Sequence, residues 1–107
     1  MIRVINVKNE YSGDMVYIGR KCGKYRGSVL GNRFKIGLDG DRDEVVKKYK
    51  RWVWEEYKKG GVVKDEIDRL VDWVKGGRDL KLGCWCKPKK CHGDVVKSLI
   101  EYLVSIK

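Results

Sequence analysis

The chain contains no alanine, threonine or glutamine, and only one proline and one histidine among its 107 residues. No apolar run comes near the roughly 20 residues that a membrane-spanning helix needs. The amino-terminal MIRVINVKN alternates where a secretion signal would show a basic, an apolar and a cleavage region, so no signal peptide is expected. Four cysteines are too few for a disulfide-held secreted scaffold, and in a reducing compartment clustered thiols point to metal or thiol chemistry. The expectation is a cytoplasmic protein, in the host cytoplasm if viral. Scarce side-chain amides with abundant lysine fit a thermophilic archaeal or viral source, although codon bias in a small genome produces the same pattern. What remains is 42% hydrophobic and 10% aromatic, too apolar for a disordered basic tail. A length of 107 residues supports one core, so residues 1–107 are read as a single domain.

Basic residues exceed acidic ones by 25 to 15, a formal charge of +10. The excess is not spread evenly. Residues 1–38 carry eight basic and two acidic side chains, residues 39–79 eleven of each, and residues 80–107 six and two. Arg20, Lys21, Lys24, Arg26, Arg33 and Lys35 form a block without an acidic neighbour, and such a single-sign field attracts polyanions.

The neutral middle reads as two helices. Asp41 and Glu44 form a capping box, and Val45, Val46, Tyr49, Trp52, Val53 and Tyr57 fall on one stripe before Gly60-Gly61. A second stripe, Ile67, Leu70, Val71 and Val74, ends at Gly76-Gly77. Aromatics at this spacing are core residues; Trp54, off the stripe, is the candidate for an exposed contact. Ile2–Val7 and Met15–Ile18 read as strands joined through Ser12-Gly13-Asp14 into an antiparallel pair. Leu80–Cys86 reads as a third strand, brought beside the first by a helical crossover, and a last helix follows with Val95, Val96, Leu99, Ile100 and Leu103 on one face. The expected fold is a small α/β domain: a sheet of three or four strands, comprising that pair and the crossover strand, covered by three helices.

Three of the four cysteines and the histidine fall between positions 84 and 92. Thiolate and imidazole suit Zn²⁺, which makes Cys84, Cys86, Cys91 and His92 a candidate tetrahedral set, with distant Cys22 as an alternative donor. The adjacency of Cys91 and His92 would splay their side chains by about 100° on a helix, which crowds a shared ion. The same residues also fit a thiolate activated at a helix amino terminus beside an imidazole and Lys87, Lys89 and Lys90. A third reading has the cysteines as small buried hydrophobes and His92 bonded to backbone.

Glycines at 19, 23, 27 and 31 punctuate the basic block and would let its backbone approach an anion. No Gly-Lys-Ser/Thr follows, so this is not a P-loop. Tyr25 and Phe34 among the cations would offer stacking surfaces to bases.

Ile2-Arg3-Val4-Ile5-Asn6-Val7, Val16-Tyr17-Ile18-Gly19-Arg20, Gly27-Ser28-Val29-Leu30-Gly31-Asn32, Asp39-Gly40-Asp41-Arg42 and Leu82-Gly83-Cys84-Trp85-Cys86, with Cys91-His92-Gly93-Asp94, together resemble the domain of unknown function 4326 family. That family occurs in bacteria, phages, archaea and archaeal viruses. It usually has proline after the Gly-Asn pair, where this chain has Arg33, and Cys22 and the loop lysines are this chain's own. The Cys-His block is also similar to the domain of unknown function 488 family. The resemblance implies an α/β fold and a site made by the glycine loop and the Cys-His block, and it names no activity.

Two functions follow as expectations. The first is binding of nucleic acid or another phosphate-bearing ligand through Arg20, Lys21, Lys24, Arg26, Asn32, Arg33, Lys35, Lys87, Lys89 and Lys90. The second is an enzyme acting on a nucleotide or phosphorylated small molecule, with Cys91 or His92 as nucleophile or metal ligand, and Asp39, Asp41 and Asp94 as acid-base groups. A pocket lined by Asn6, Gly19, Asn32 and His92 would favour the enzyme. Neither function involves a membrane.

Overall fold

A computed structural model of the chain describes residues 2–9, 15–23, 25–85 and 89–106. The elements run β1 (Ile2–Asn6), β2 (Val16–Tyr17), α1 (Arg42–Lys59), α2 (Val62–Lys75), β3 (Leu80–Cys84) and α3 (His92–Ile106). None of the helices is long and apolar enough to cross a membrane.

Helix α1 begins as its capping box requires. The Asp41 carboxylate accepts from the Glu44 backbone N–H at 2.9 Å, and the Glu44 carboxylate accepts from the Asp41 N–H at 3.2 Å. The helix buries Val45, Val46, Tyr49, Val53 and Tyr57 and stops at Gly60, whose φ of 89° ordinary side chains avoid. Helix α2 buries Val63, Ile67, Leu70 and Val71, and α3 buries Val96, Leu99, Ile100 and Leu103. The three helices pack on one another, and α2 and α3 pack on the sheet. One core joins them, with Tyr49, Ile67, Leu70, Leu80, Leu82 and Ile100 completely enclosed.

The sheet differs from the expected antiparallel pair. Its order is β1-β3-β2 and both neighbours run parallel to β3. The expected hairpin is absent because β3 lies between the two amino-terminal strands. In β3, Leu80, Leu82, Gly83 and Cys84 are buried and Lys81 half-buried, the pattern of a central parallel strand covered on both faces. The return from β1 to β2 is also short. Asn6 pairs with Cys84 and Val16 with Leu82, so the chain steps back two residues, about 7 Å along the sheet. The expected Ser12-Gly13-Asp14 turn lies outside the described residues. The crossover that pairs β3 with β1 is present. The face of Gly83 is covered by this returning chain: a Cβ at Gly83 would come within 2.7 Å of the Val7 and Met15 side chains.

Trp54 is 37% exposed and packs on Tyr57 and Tyr102, at the surface as its place off the stripe indicated.

Candidate functional site

Because all three strands are parallel, their carboxyl ends emerge on the same edge. Three segments leave there: the chain after Tyr17, the chain after Cys84 and the connection after Asn6. The first carries the basic loop and the second leads to the amino terminus of α3. A parallel sheet places ligand crevices at this edge.

The basic loop folds back on itself. The Ser28 N–H donates to the Gly19 carbonyl at 3.0 Å, and Cys22 and Tyr25 exchange backbone hydrogen bonds of 3.1 and 2.9 Å. After this tongue, Leu30 enters the core, where its carbonyl accepts from the fully enclosed Tyr49 hydroxyl of α1. The Asn32 side-chain oxygen accepts from the Phe34 N–H at 2.9 Å, and the Asp39 carboxylate from the Lys35 N–H at 2.8 Å. Both are short-range turns that replace missing secondary structure.

Between this loop, the start of α1 and the start of α3 lies a cleft of about 660 Å³, within the usual size range of ligand sites. Among the described residues its lining includes Arg20, Lys21, Lys35, Arg42 and Lys90, and no carboxylate. Phe34, Ile36, Val45, Val46 and Trp85 provide the apolar part, and Gly19, Asn32, Cys91 and His92 complete it. The glycine loop and the Cys-His block, about 60 residues apart in sequence, thus face one cavity. Of the expected pocket residues, Gly19, Asn32 and His92 are present. Asn6 is not: its side-chain amide donates to the Trp85 carbonyl at 3.1 Å and its oxygen accepts from the Lys8 N–H at 2.9 Å.

The other expected cations are placed elsewhere. Arg26 lines a separate depression with Tyr17, Val62, Asp65, Glu66 and Arg69. Arg33 holds its guanidinium 5.6 Å from the centre of the Trp52 ring. Lys89 is exposed and does not line the cleft. Lys24 and Lys87 lie outside the described residues. The Lys90 ammonium stands 3.5 Å from the Asp43 carboxylate, an exposed and therefore weak pair.

His92, the first residue of α3, is 6% exposed. Its Nε2 lies 2.8 Å from the Ile18 carbonyl oxygen, which can only accept, so Nε2 carries the proton and Nδ1 the lone pair. Burial holds the His92 pKa below the usual histidine value; the Ile18 bond opposes this, Arg20 reinforces it and Asp94 opposes it. The imidazole is therefore neutral at pH 7. The Tyr49 ring meets it edge-on at 5.1 Å. Next to it Gly93 lets α3 close on the sheet, since a Cβ there would sit 2.7 Å from the Val4 side chain and 3.3 Å from the Cys91 sulfur.

The Cys84 and Cys91 sulfurs are both buried and 3.3 Å apart. Cys22 is exposed on the loop and Cys86 lies outside the described residues. Among the described residues, no group of three or more His, Cys, Asp or Glu is arranged to share a metal ion. The carboxylates suggested as acid-base groups hold the chain together instead. Asp41 caps α1, Asp39 bonds the Lys35 N–H, and Asp94 accepts from the Cys91 N–H at 3.2 Å. None of them lines the cleft.

The model of the family described as "Domain of unknown function (DUF4326)" matches residues 5–102. The chain belongs to the DUF4326 family. A relative in Enterobacteria phage T4, described as "Uncharacterized 12.4 kDa protein in nrdA-td intergenic region", is 30% identical over 102 residues, which span 94% of this chain and 82% of that protein. No solved structure is significantly similar to the chain. The matched span includes the loop, the start of α1 and the Cys-His block, so every wall of the cleft falls within the DUF4326 region.

Two lining residues belong to the blocks that carry the family resemblance, but neither charge nor spacing assigns them to the cleft. Arg42 belongs to the electrically neutral middle, yet its guanidinium reaches across to donate to the Lys90 carbonyl at 2.9 Å. Trp85 follows the last residue of β3 and lines the cleft.

Proposed function

We propose that this DUF4326 protein binds a phosphate-bearing ligand, a nucleotide or a stretch of nucleic acid, in the cleft at the carboxyl ends of its strands. The observation that carries the reading is the lining itself: among the described residues, five cationic side chains and no carboxylate surround one cavity. Like charges converge at a cost, which an anion in the cavity offsets. The neutral His92 adds no charge to that set.

The test is binding of pyrophosphate and of labelled oligonucleotides at low ionic strength. If the five lining cations each neutralise one phosphate, affinity for a single strand should fall with salt at a log-log slope of about −3.5, and for a duplex about −4.5. Reversing Lys35 and Arg42 to Glu should abolish binding. Lys59→Glu should leave it intact, because that residue lies at the other end of α1, about 25 Å from Arg42. Absence of binding by the unaltered protein, or equal losses in both variants, would refute the reading.

The enzymatic alternative has one observation in its favour, namely that Cys91 and His92 line the same cleft. Release of inorganic phosphate from a bound nucleotide, lost in Cys91→Ser and His92→Gln, would establish it. Zinc held by Cys84, Cys86, Cys91 and His92 has the close thiol pair in its favour. Two thiolates on a tetrahedral zinc stand about 3.8 Å apart, near the 3.3 Å between Cys84 and Cys91. His92 would then offer Nδ1, since its Nε2 is bonded to Ile18.

A further inference from the structure

Trp85 is 42% exposed and yet is held firmly. Its indole N–H donates to the Tyr17 hydroxyl at 2.9 Å. Tyr25 packs against it at 83°, with ring centres 5.9 Å apart, and Tyr25 is itself stacked on Tyr17 at 4.6 Å. The Tyr17 hydroxyl donates to the Arg20 carbonyl, which ties the aromatic group to the cation-bearing loop. The Asn6 amide fixes the Trp85 backbone.

With its N–H already used, the indole has only its ring surface and carbon edge left to offer. A fixed aromatic surface on the wall of a cationic cleft matches a ligand that joins a flat ring to a phosphate. We infer that Trp85 is a stacking platform for a nucleobase whose phosphate is held by the cleft cations. This rests on the phosphate reading above and narrows it: the ligand is a nucleotide unit, either free or in an unpaired strand. Because the platform is ordered in advance, stacking on it incurs little loss of side-chain freedom. Every base has a stacking face, so preference among bases is expected to be weak.

The test compares pyrophosphate, thymidine 5′-diphosphate and an eight-residue oligothymidylate by calorimetric titration of the full chain. Trp85→Leu should weaken both thymidine-bearing probes by about 5- to 150-fold and leave pyrophosphate unchanged. Trp85→Phe, which keeps a ring, should retain most of the affinity. Pyrophosphate binding by each variant shows that the fold and the cationic cleft are intact. A free nucleotide is the source if the diphosphate binds as tightly as the oligomer, and a strand if the oligomer binds more tightly and with the steeper salt dependence. If pyrophosphate binds but the thymidine probes gain nothing over it, or gain equally with Leu at position 85, the stacking role is overturned while the cleft reading stands. If the unaltered protein binds none of the probes, both are overturned.

Discussion

Replacing Tyr49 with Phe should destabilise the protein out of proportion to the single oxygen removed. The hydroxyl donates to the carbonyl of Leu30, and both residues are 0% exposed. Phenylalanine keeps the ring, so no cavity opens, but the Leu30 carbonyl is left in the core without its donor. An orphaned buried acceptor costs about 1–3 kcal/mol. For a chain of this length each kcal/mol lowers the melting temperature by about 4–5 °C, so a drop of about 4–15 °C is expected. Tyr57→Phe is the control. Its hydroxyl donates to the Asp68 carboxylate at 2.7 Å, but that carboxylate also pairs with Lys64 and is partly exposed, so water and Lys64 still satisfy it and the loss should be smaller than in Tyr49→Phe. Thermal and urea unfolding of the two variants decide the matter. Equal losses, or no loss in Tyr49→Phe, would refute the argument. The bond also anchors the basic loop two residues before Asn32, so Tyr49→Phe should weaken phosphate binding, whereas Tyr57→Phe should not.

Three further outcomes are expected. His92 titrates below 6.5 in the folded chain, mainly through burial, so between that lowered value and 6.5 the unfolded chain holds more protons. Stability should therefore fall as pH drops below about 6.5, and His92→Gln should remove that part of the dependence; identical slopes in chelator-treated wild type and variant would contradict this. Asp41→Ala breaks the capping box of α1 and should cost about 0.5–2 kcal/mol in urea unfolding, with Glu44→Ala costing less because only the reciprocal bond goes. If the Cys-His block holds zinc as the second alternative has it, elemental analysis of purified protein with thiol counting should find about one zinc per chain and slow labelling of the buried cysteines; absence of metal with one fast thiol besides exposed Cys22 would favour thiol chemistry instead.

Much of the fold is written locally. The Asp41-x-x-Glu44 box, the apolar stripe through Tyr57 and the Gly60-Gly61 stop depend on residues within a few positions of each other, and α1 forms between them as expected. Strand orientation is different in kind. Whether β1 pairs with β2 or with β3 depends on which strand is central, with Leu80, Leu82 and Cys84 buried on one face and Gly83 on the other, and the residues around Val16 do not carry that information. The cleft shows the same division. Arg20, Lys21 and Lys35 stand out as an unopposed run, and Cys91 and His92 by their density. Arg42 and Trp85 enter the cleft only because the helix start and the end of β3 come to the same edge. Arg26 and Arg33 belong to the same run but turn elsewhere: Arg26 sits on the tongue beside a separate depression, and Arg33 turns to the Trp52 ring although its neighbours Asn32 and Phe34 line the cleft.

With no long apolar run, none of the helices can span a membrane, and the surplus of basic over acidic residues sets the sign of any attraction. Composition, caps and periodicity determine which segments are helix or strand and where the charge lies along the chain, because those depend on near neighbours. Only the tertiary structure decides that the strands are parallel and that their carboxyl ends share an edge. That shared edge turns two basic segments and one helix start into a single cavity, since long-range burial, rather than any local preference, sets which ends meet.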